Sequence, residues 1–322
     1  MITMTEIARL AHVSQPTVSR VLNGKPNVAP EIRERVLACA REHDYQFNVL
    51  AKSLQGSRTQ LLGVLVSDVS NSFFADLSKQ IEAEARKYGY SMILFNSDYN
   101  VQREREYLTV ARQYRVDGVL AAPVQERGAE WRESVQKLDI PVVAVTQRVE
   151  GVDCVYVDHM EAGAMVAKHM AERGYGRFLY IGEEQSAKYA GFRSALADLG
   201  HGDRVECTAS SDSRQLSAFL ETWFRRPSYR TGIFTENDLC ALRVLSILRE
   251  LGVPVPRRAG VMGFDNISVG RYLNPGLSSV SQPIGLMAEQ AVSRLLHRMD
   301  HPMGEPALEL ALPAELVVRE ST

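Results

Sequence analysis

The sequence predicts an α/β protein: a short all-α segment at the N-terminus, then two doubly wound lobes built on parallel sheets. Three observations predict it. Residues 1–60 carry apolar side chains at helical spacing. Beyond Arg58, Val/Ile/Leu-rich runs of strand length alternate with amphipathic stretches of helix length, the pattern of parallel strands covered on both faces. The length, 322 residues, leaves more chain in that pattern than one small sheet uses, so two similar lobes are expected.

The N-terminal segment reads as three short helices. Thr3-Met4-Thr5-Glu6 has the form of a capping box, and Ile7, Ala8, Leu10 and Ala11 make the stripe behind it. His12-Val13 forms a turn, Ser14 is an N-cap, and Pro16 sits in a first turn where its missing N–H costs nothing. Val18, Val21 and Leu22 point inward, and Gly24 ends the helix. Pro30 opens a third helix running through Ile32, Val36, Leu37 and Ala40 to about His43. Two short helices joined tightly and braced by a third form a helix-turn-helix. The second helix would turn Gln15, Thr17, Ser19 and Arg20 toward a major groove; the alternative is a plain three-helix bundle with a solvated polar face. Charge is uneven: residues 1–60 hold eight Lys/Arg against five acids, leaving 29 basic against 34 acidic groups in the rest, and a basic head on an acidic body suits an approach to phosphates.

Next, Tyr45 to Gly56 offers Asn48 as a cap and Gly56 as a stop for about two helical turns, too short to be stable alone. The strand-like runs that follow are Leu61–Val66, Ser91–Asn96, Gly118–Pro123, Pro141–Thr146, Val155–Asp158, Phe178–Gly182, Gly232–Thr235 and Gly260–Phe264; helix-length segments include Ala75–Tyr88, Arg103–Tyr114, Glu161–Arg173, Asp238–Leu251 and Ile284–Met299. Several strands turn polar at their carboxyl ends, into Ser67-Asp68, Gln147-Arg148, Glu236-Asn237-Asp238 and Asp265-Asn266. In open parallel sheets that is where ligands bind, and hydroxyl, amide and carboxylate groups suit a polyhydroxylated or heterocyclic one.

Composition narrows the function classes. Hydrophobic residues at 45% and charged ones at 24% describe an ordinary globular chain. No apolar run spans a bilayer and no secretory signal is visible, so a cytoplasmic location without membrane contact is expected. Cys39, Cys154, Cys207 and Cys240 lack CxxC pairing and read as reduced thiols. There is no GxSxG elbow, P-loop, HExxH pair or GxGxxG at a strand–helix junction, so no enzyme, cofactor or metal is expected. An exported solute-binding protein would need a leader and leaves the polar helix face unexplained.

The stretch Ile7 to Asn23, with Val-Ser-x-x-Thr-Val-Ser-Arg-Val-Leu-Asn at its centre, resembles the DNA-binding head of the LacI/GalR family of bacterial transcriptional repressors. Val116-Asp117-Gly118, Gly260 to Asn266 and Leu277 to Pro283 resemble recurrent stretches of the family's sensor, which is periplasmic-binding-protein-like. The resemblance implies a sequence-specific repressor, binding a pseudo-palindromic double-stranded operator as a homodimer under allosteric control by a small effector. A sugar or sugar derivative is favoured over a purine or nucleoside. It implies domains at 1–46 (head), 47–60 (hinge helix) and 61–322 (sensor), with one lobe from 61–150 and 283–308, the other from 151–280 and 309–322, and crossings near 148–156, 278–283 and 307–312.

By the same resemblance, Gln15 and Pro16 stand at variable base-reading positions, Arg20 at a later one, and Thr3, Ser14, Thr17, Ser19 and Asn23 support DNA contact. Asn48, Ala51, Lys52 and Leu54 belong to the hinge helix, Leu54 as a wedge in the minor groove; Phe47 stands where the family usually has proline. Phe73, Gln147, Lys188, Asn237 and Asp265 would face the effector. Lys188 replaces the usual arginine, giving a point charge instead of a planar fork. Each has a structural alternative: core packing for Phe73, helix capping for Asn237, loop bracing for Asp265, solvated helix surface for Lys188. The sequence also ends without a leucine-heptad tail, which favours a dimer over a tail-tied tetramer.

Overall fold

The computed structural model describes residues 2–22, 26–45, 58–124, 129–209, 212–225, 229–301 and 305–322. The chain forms two compact units, Met1–Thr59 and Gln60–Thr322.

In the first unit, α1 (Met4–Leu10), α2 (Gln15–Leu22) and α3 (Pro30–Glu42) pack around Ile7, Ala8, Ala11, Val18, Val21, Val36, Cys39 and Ala40. The capping box forms as its spacing dictates: the Glu6 N–H donates to Thr3 Oγ1 at 3.3 Å, and the Thr3 N–H donates to Glu6 Oε2 at 2.7 Å. Pro30 opens α3. Leu10 and Leu37, expected inside, are 41% and 37% exposed: each lies beside the inward stripe, one helical step away from residues that close it. Asn23, Gly24 and residues 46–57, including Phe47, Asn48, Ala51, Lys52, Leu54 and Gly56 of the expected hinge, lie outside the described residues.

The second unit holds two six-stranded sheets among the described residues. The first takes β1 (Leu61–Val66), β2 (Ser91–Asn96), β3 (Gly118–Ala121), β4 (Val142–Thr146), β5 (Asp153–Val157) and β11 (Glu309–Leu312), ordered β11-β5-β4-β3-β1-β2 and parallel throughout. The second takes β6 (Arg177–Ile181), β7 (Val205–Thr208), β8 (Thr231–Thr235), β9 (Ala259–Phe264), β10 (Ser278–Ser281) and β12 (Glu315–Val317), ordered β12-β10-β9-β8-β6-β7; β12 alone runs antiparallel. Around them lie α4 (Ser72–Lys87), α5 (Val101–Gln113), α6 (Ala129–Gln136), α7 (His159–Glu172), α8 (Ala187–Asp198), α9 (Ser213–Arg225), α10 (Asp238–Glu250) and α11 (Ile284–Asp300).

The strand allocation corrects the expected lobe boundaries. Asp153–Val157 and Glu309–Leu312 pair with each other in the first sheet, so the first crossing follows Val157 and the third falls between Leu312 and Glu315. Asp153 supplies the reason. Its carboxylate, 6% exposed, accepts hydrogen bonds from Arg294 and Arg298 of α11 and from the Leu308 N–H at 2.7 Å. Burial opposes ionisation, but these donors hold the carboxyl below its usual range. The clamp ties both strands to a helix packed on the first sheet.

A second close approach fixes the other lobe. A Cβ on Gly163 of α7 would stand 2.1 Å from the Lys188 carbonyl oxygen, and one on Gly191 of α8 would stand 1.9 Å from that of Met160. The helices therefore cross backbone to backbone, and Lys188 is held on that contact. The lobes also touch each other: Ile267 is buried in the first lobe's core, with Leu239 and Leu242 of α10 packed against it.

Candidate effector site and nucleic-acid interface

On the head, Thr3, Ser14, Gln15, Pro16 and Arg20 are exposed, Thr17 and Ser19 half-buried, and Val18 and Val21 buried. One face of α2 is thus committed to the core and the other presents short polar groups and a guanidinium to solvent. The Ser14 and Thr17 hydroxyls lie 2.8 Å apart, closing the helix start.

In the second unit, polar groups gather where strands end. Asn71 caps α4, its Oδ1 accepting the Phe73 N–H at 3.1 Å; its amide also hydrogen-bonds Asp265 of the other lobe and the Tyr99 hydroxyl. Asp265, 8% exposed, accepts a hydrogen bond from Gln282 Nε2 at 2.9 Å. That donor orients the amide and leaves Gln282 Oε1 buried without a partner, as Gln147 Oε1 is. A buried amide oxygen in that condition is short of a hydrogen-bond donor. Lys188 Nζ lies 3.7 Å from the centre of the Phe264 ring and donates to the Glu236 carbonyl at 2.8 Å.

Backbone strain concentrates at the same rim. Thr146, Asp265, Asn266, Asp98 and Tyr99 have φ of 74°, 106°, 52°, 55° and 52°, left-handed values that non-glycine residues adopt at a cost and that recur at ligand sites. Asp238 braces the strained turn: its carboxylate accepts from the Ile267 N–H at 2.7 Å and the Ser279 hydroxyl at 2.6 Å. It fits against Gly263, where a Cβ would come within 1.9 Å of Asp238 Oδ1. Burial, reinforced by neighbouring Asp265, pushes the Asp238 carboxyl up to about 7. Burial raises Asp265 to about 6, against the pull of Lys188 and the Gln282 and Asn71 hydrogen bonds.

Of the effector-facing residues the sequence nominates, Asp265 and Lys188 come together. Asn237 caps α10 through Oδ1, which accepts the Cys240 N–H at 2.9 Å. Phe73 is 3% exposed in the first lobe's core, its ring edge-on to half-buried Phe74; the core alternative describes its position. Gln147 instead lines a cavity of about 720 Å³, with Arg148, Asp158, His159 and Gln185. Asn71, Tyr99 and Gln282 carry no comparable local signal in the sequence. An asparagine before a helix reads as a cap, and only the fold brings it opposite Asp265. Among the described residues no cluster of three His, Cys, Asp or Glu is placed to hold a metal ion, and no helix is long and apolar enough to cross a membrane.

An exposed recognition helix in one unit and a polar, strained cleft between parallel-sheet lobes in the other define a ligand-responsive DNA-binding regulator. Residues 3–48 match the model for bacterial regulatory proteins of the lacI family, and residues 167–322 that for a periplasmic binding protein-like domain. The ribose operon repressor of Halalkalibacterium halodurans is 31% identical, over 100% of this chain and 97% of its own length. The CelR–cellobiose complex has a TM-score of 0.69 at 27% identity, covering 100% of both chains. The lac repressor dimer bound to operator and the anti-inducer ONPF shares the fold at a TM-score of 0.86 and 21% identity, covering 99% of this chain and 98% of its own. This chain belongs to the lacI family of bacterial transcriptional regulators: DNA-binding repressors governed by small molecules, not enzymes.

Proposed function

We propose that this chain is a homodimeric repressor of a pseudo-palindromic operator whose effector is a carbohydrate held between the lobes. One observation carries the ligand reading: Asn71, Asp265 and Gln282 meet across the lobes, where the Gln282 amide oxygen is buried without a partner, a lining that asks for a molecule rich in hydroxyl donors. Among relatives, the ribose operon repressor and the CelR–cellobiose complex point to the same ligand class. In this reading Asp265, Lys188 and Gln147 grip the ligand, joined by Asn71, Tyr99 and Gln282. Asn237 offers its amide nitrogen while capping α10, and Phe73 backs the site from the core.

At the DNA, Gln15, Pro16 and Arg20 read bases, while Thr3, Ser14, Thr17, Ser19 and Asn23 hold the backbone. Asn48, Ala51, Lys52 and Leu54 act in the hinge, which folds on the operator, and ligand in the cleft changes operator affinity through it by about 1–3 kcal/mol. The test is selection of palindromic duplexes from a random pool, followed by titration of the selected complex with sugars. Salt-dependent, sequence-selective binding that a sugar alters is expected. Binding equal on all duplexes would remove the operator reading, and indifference to every sugar the carbohydrate reading.

A further inference from the structure

We propose that the effector carries no anionic group: it is a neutral or amino-bearing sugar, and phosphorylated sugars are excluded. This rests on the carbohydrate reading above and goes beyond it to charge.

Carboxylates approach the cleft from three strand ends. Partial burial raises the hydroxyl of Tyr99, a half-exposed residue at the rim, and Asp68, Asp265 and Glu236 all add to that although Asn71 hydrogen-bonds it. They come from three strand ends, β1, β9 and β8, so the charge is assembled by the fold and not by one loop. The cation facing them, Lys188, is already engaged by the Glu236 carbonyl, the Phe264 ring and the field of Asp265. Arg319 is turned to the Leu277 carbonyl and Asn266 Oδ1.

The adjoining cavity repeats the balance. Its guanidiniums are Arg148, donating to Glu309 at 2.7 Å, and Arg132, 3.9 Å from Glu150; Asp158 adds a third carboxylate. A phosphate there would meet carboxylates and compete with Glu309 and Glu150 for the two arginines.

The independent mark of a ligand is Gln282. It is 6% exposed, its nitrogen is fixed on Asp265, and its oxygen is unpartnered. Gln147 offers a second unpaired oxygen. An acceptor-lined site of this kind is satisfied by hydroxyl or ammonium hydrogens, whereas an ionised phosphate brings acceptors alone.

The test compares sugars with their own phosphate esters on the full-length protein, by thermal shift and then calorimetry: glucose, fructose, ribose and glucosamine, each beside its ester. The free sugar of any responding pair should bind on the order of tenfold tighter or better. An ester that binds as well or better overturns the proposal while leaving the carbohydrate reading intact; a panel in which nothing binds removes both. Glu236→Gln should narrow the gap within a responding pair several-fold, and an unchanged gap also overturns it, because carboxylates would then not be its source.

Discussion

The two units carry their proposed functional side chains in opposite ways. On the head, Gln15, Pro16 and Arg20 stand in solvent on a short helix whose other face is core. In the cleft, Asp265 and Gln282 are buried and bonded to each other, Asp265 on a backbone held at unfavourable φ. A surface that reads a duplex gains from side chains left available. A site that must register one small molecule gains from groups already arranged and short of a partner. Substitution should therefore damage the head locally and the cleft collectively.

The largest expected effect is on Asp265. Asp265→Ala should abolish the response of operator binding to sugar while leaving affinity without sugar near wild type; a retained response would take Asp265 out of the site. Next is Gly191→Ala, which forces a methyl against the Met160 carbonyl and should cost about 1–3 kcal/mol or more in the unfolding of the second unit. The head's amide-exchange protection should stay unchanged, and equal weakening of both units would show that they do not behave separately. Gln15→Ala should cost roughly 1–3 kcal/mol at one base pair per half-site; losses spread evenly over all sequences would reduce Gln15 to a backbone contact.

The smallest effect concerns Asp238. A carboxyl raised to about 7 binds a proton more tightly folded than unfolded, so its contribution favours the folded state at low pH and that advantage fades as pH rises from about 4 through 7. Asn at this position carries no charge to bury and can still accept from the Ile267 N–H and donate to Ser279 Oγ. The unfolding free energy of Asp238→Asn relative to wild type should climb between pH 5 and 8, by at most about 1.4 kcal/mol per pH unit. A difference independent of pH would mean that Asp238 ionises without penalty.

What could be read from the sequence follows the same divide. Thr3 with Glu6, Ser14 before α2 and Pro30 at the start of α3 act over one turn, so spacing alone places them. Asp153–Val157 looks the same whichever sheet it joins; its partners Arg294 and Arg298 lie far along the chain, so local pattern does not assign it to the first lobe. Gln282 and Asn71 gain their meaning only opposite Asp265. Phe73 and Phe74 are adjacent aromatics at a helix start, and a one-residue choice between core and cleft is settled by packing against Leu77 and Ile81, not by local pattern.

The glycine crossing of α7 and α8 has a mechanical consequence. With each backbone seated where the other's side chain would be, neither helix can slide or roll to absorb a push on Lys188. A displacement of the backbone at Lys188 would therefore carry to the start of α7, where the chain has just left the first sheet. The α7–α8 pair thus behaves as one rigid body next to the first crossing.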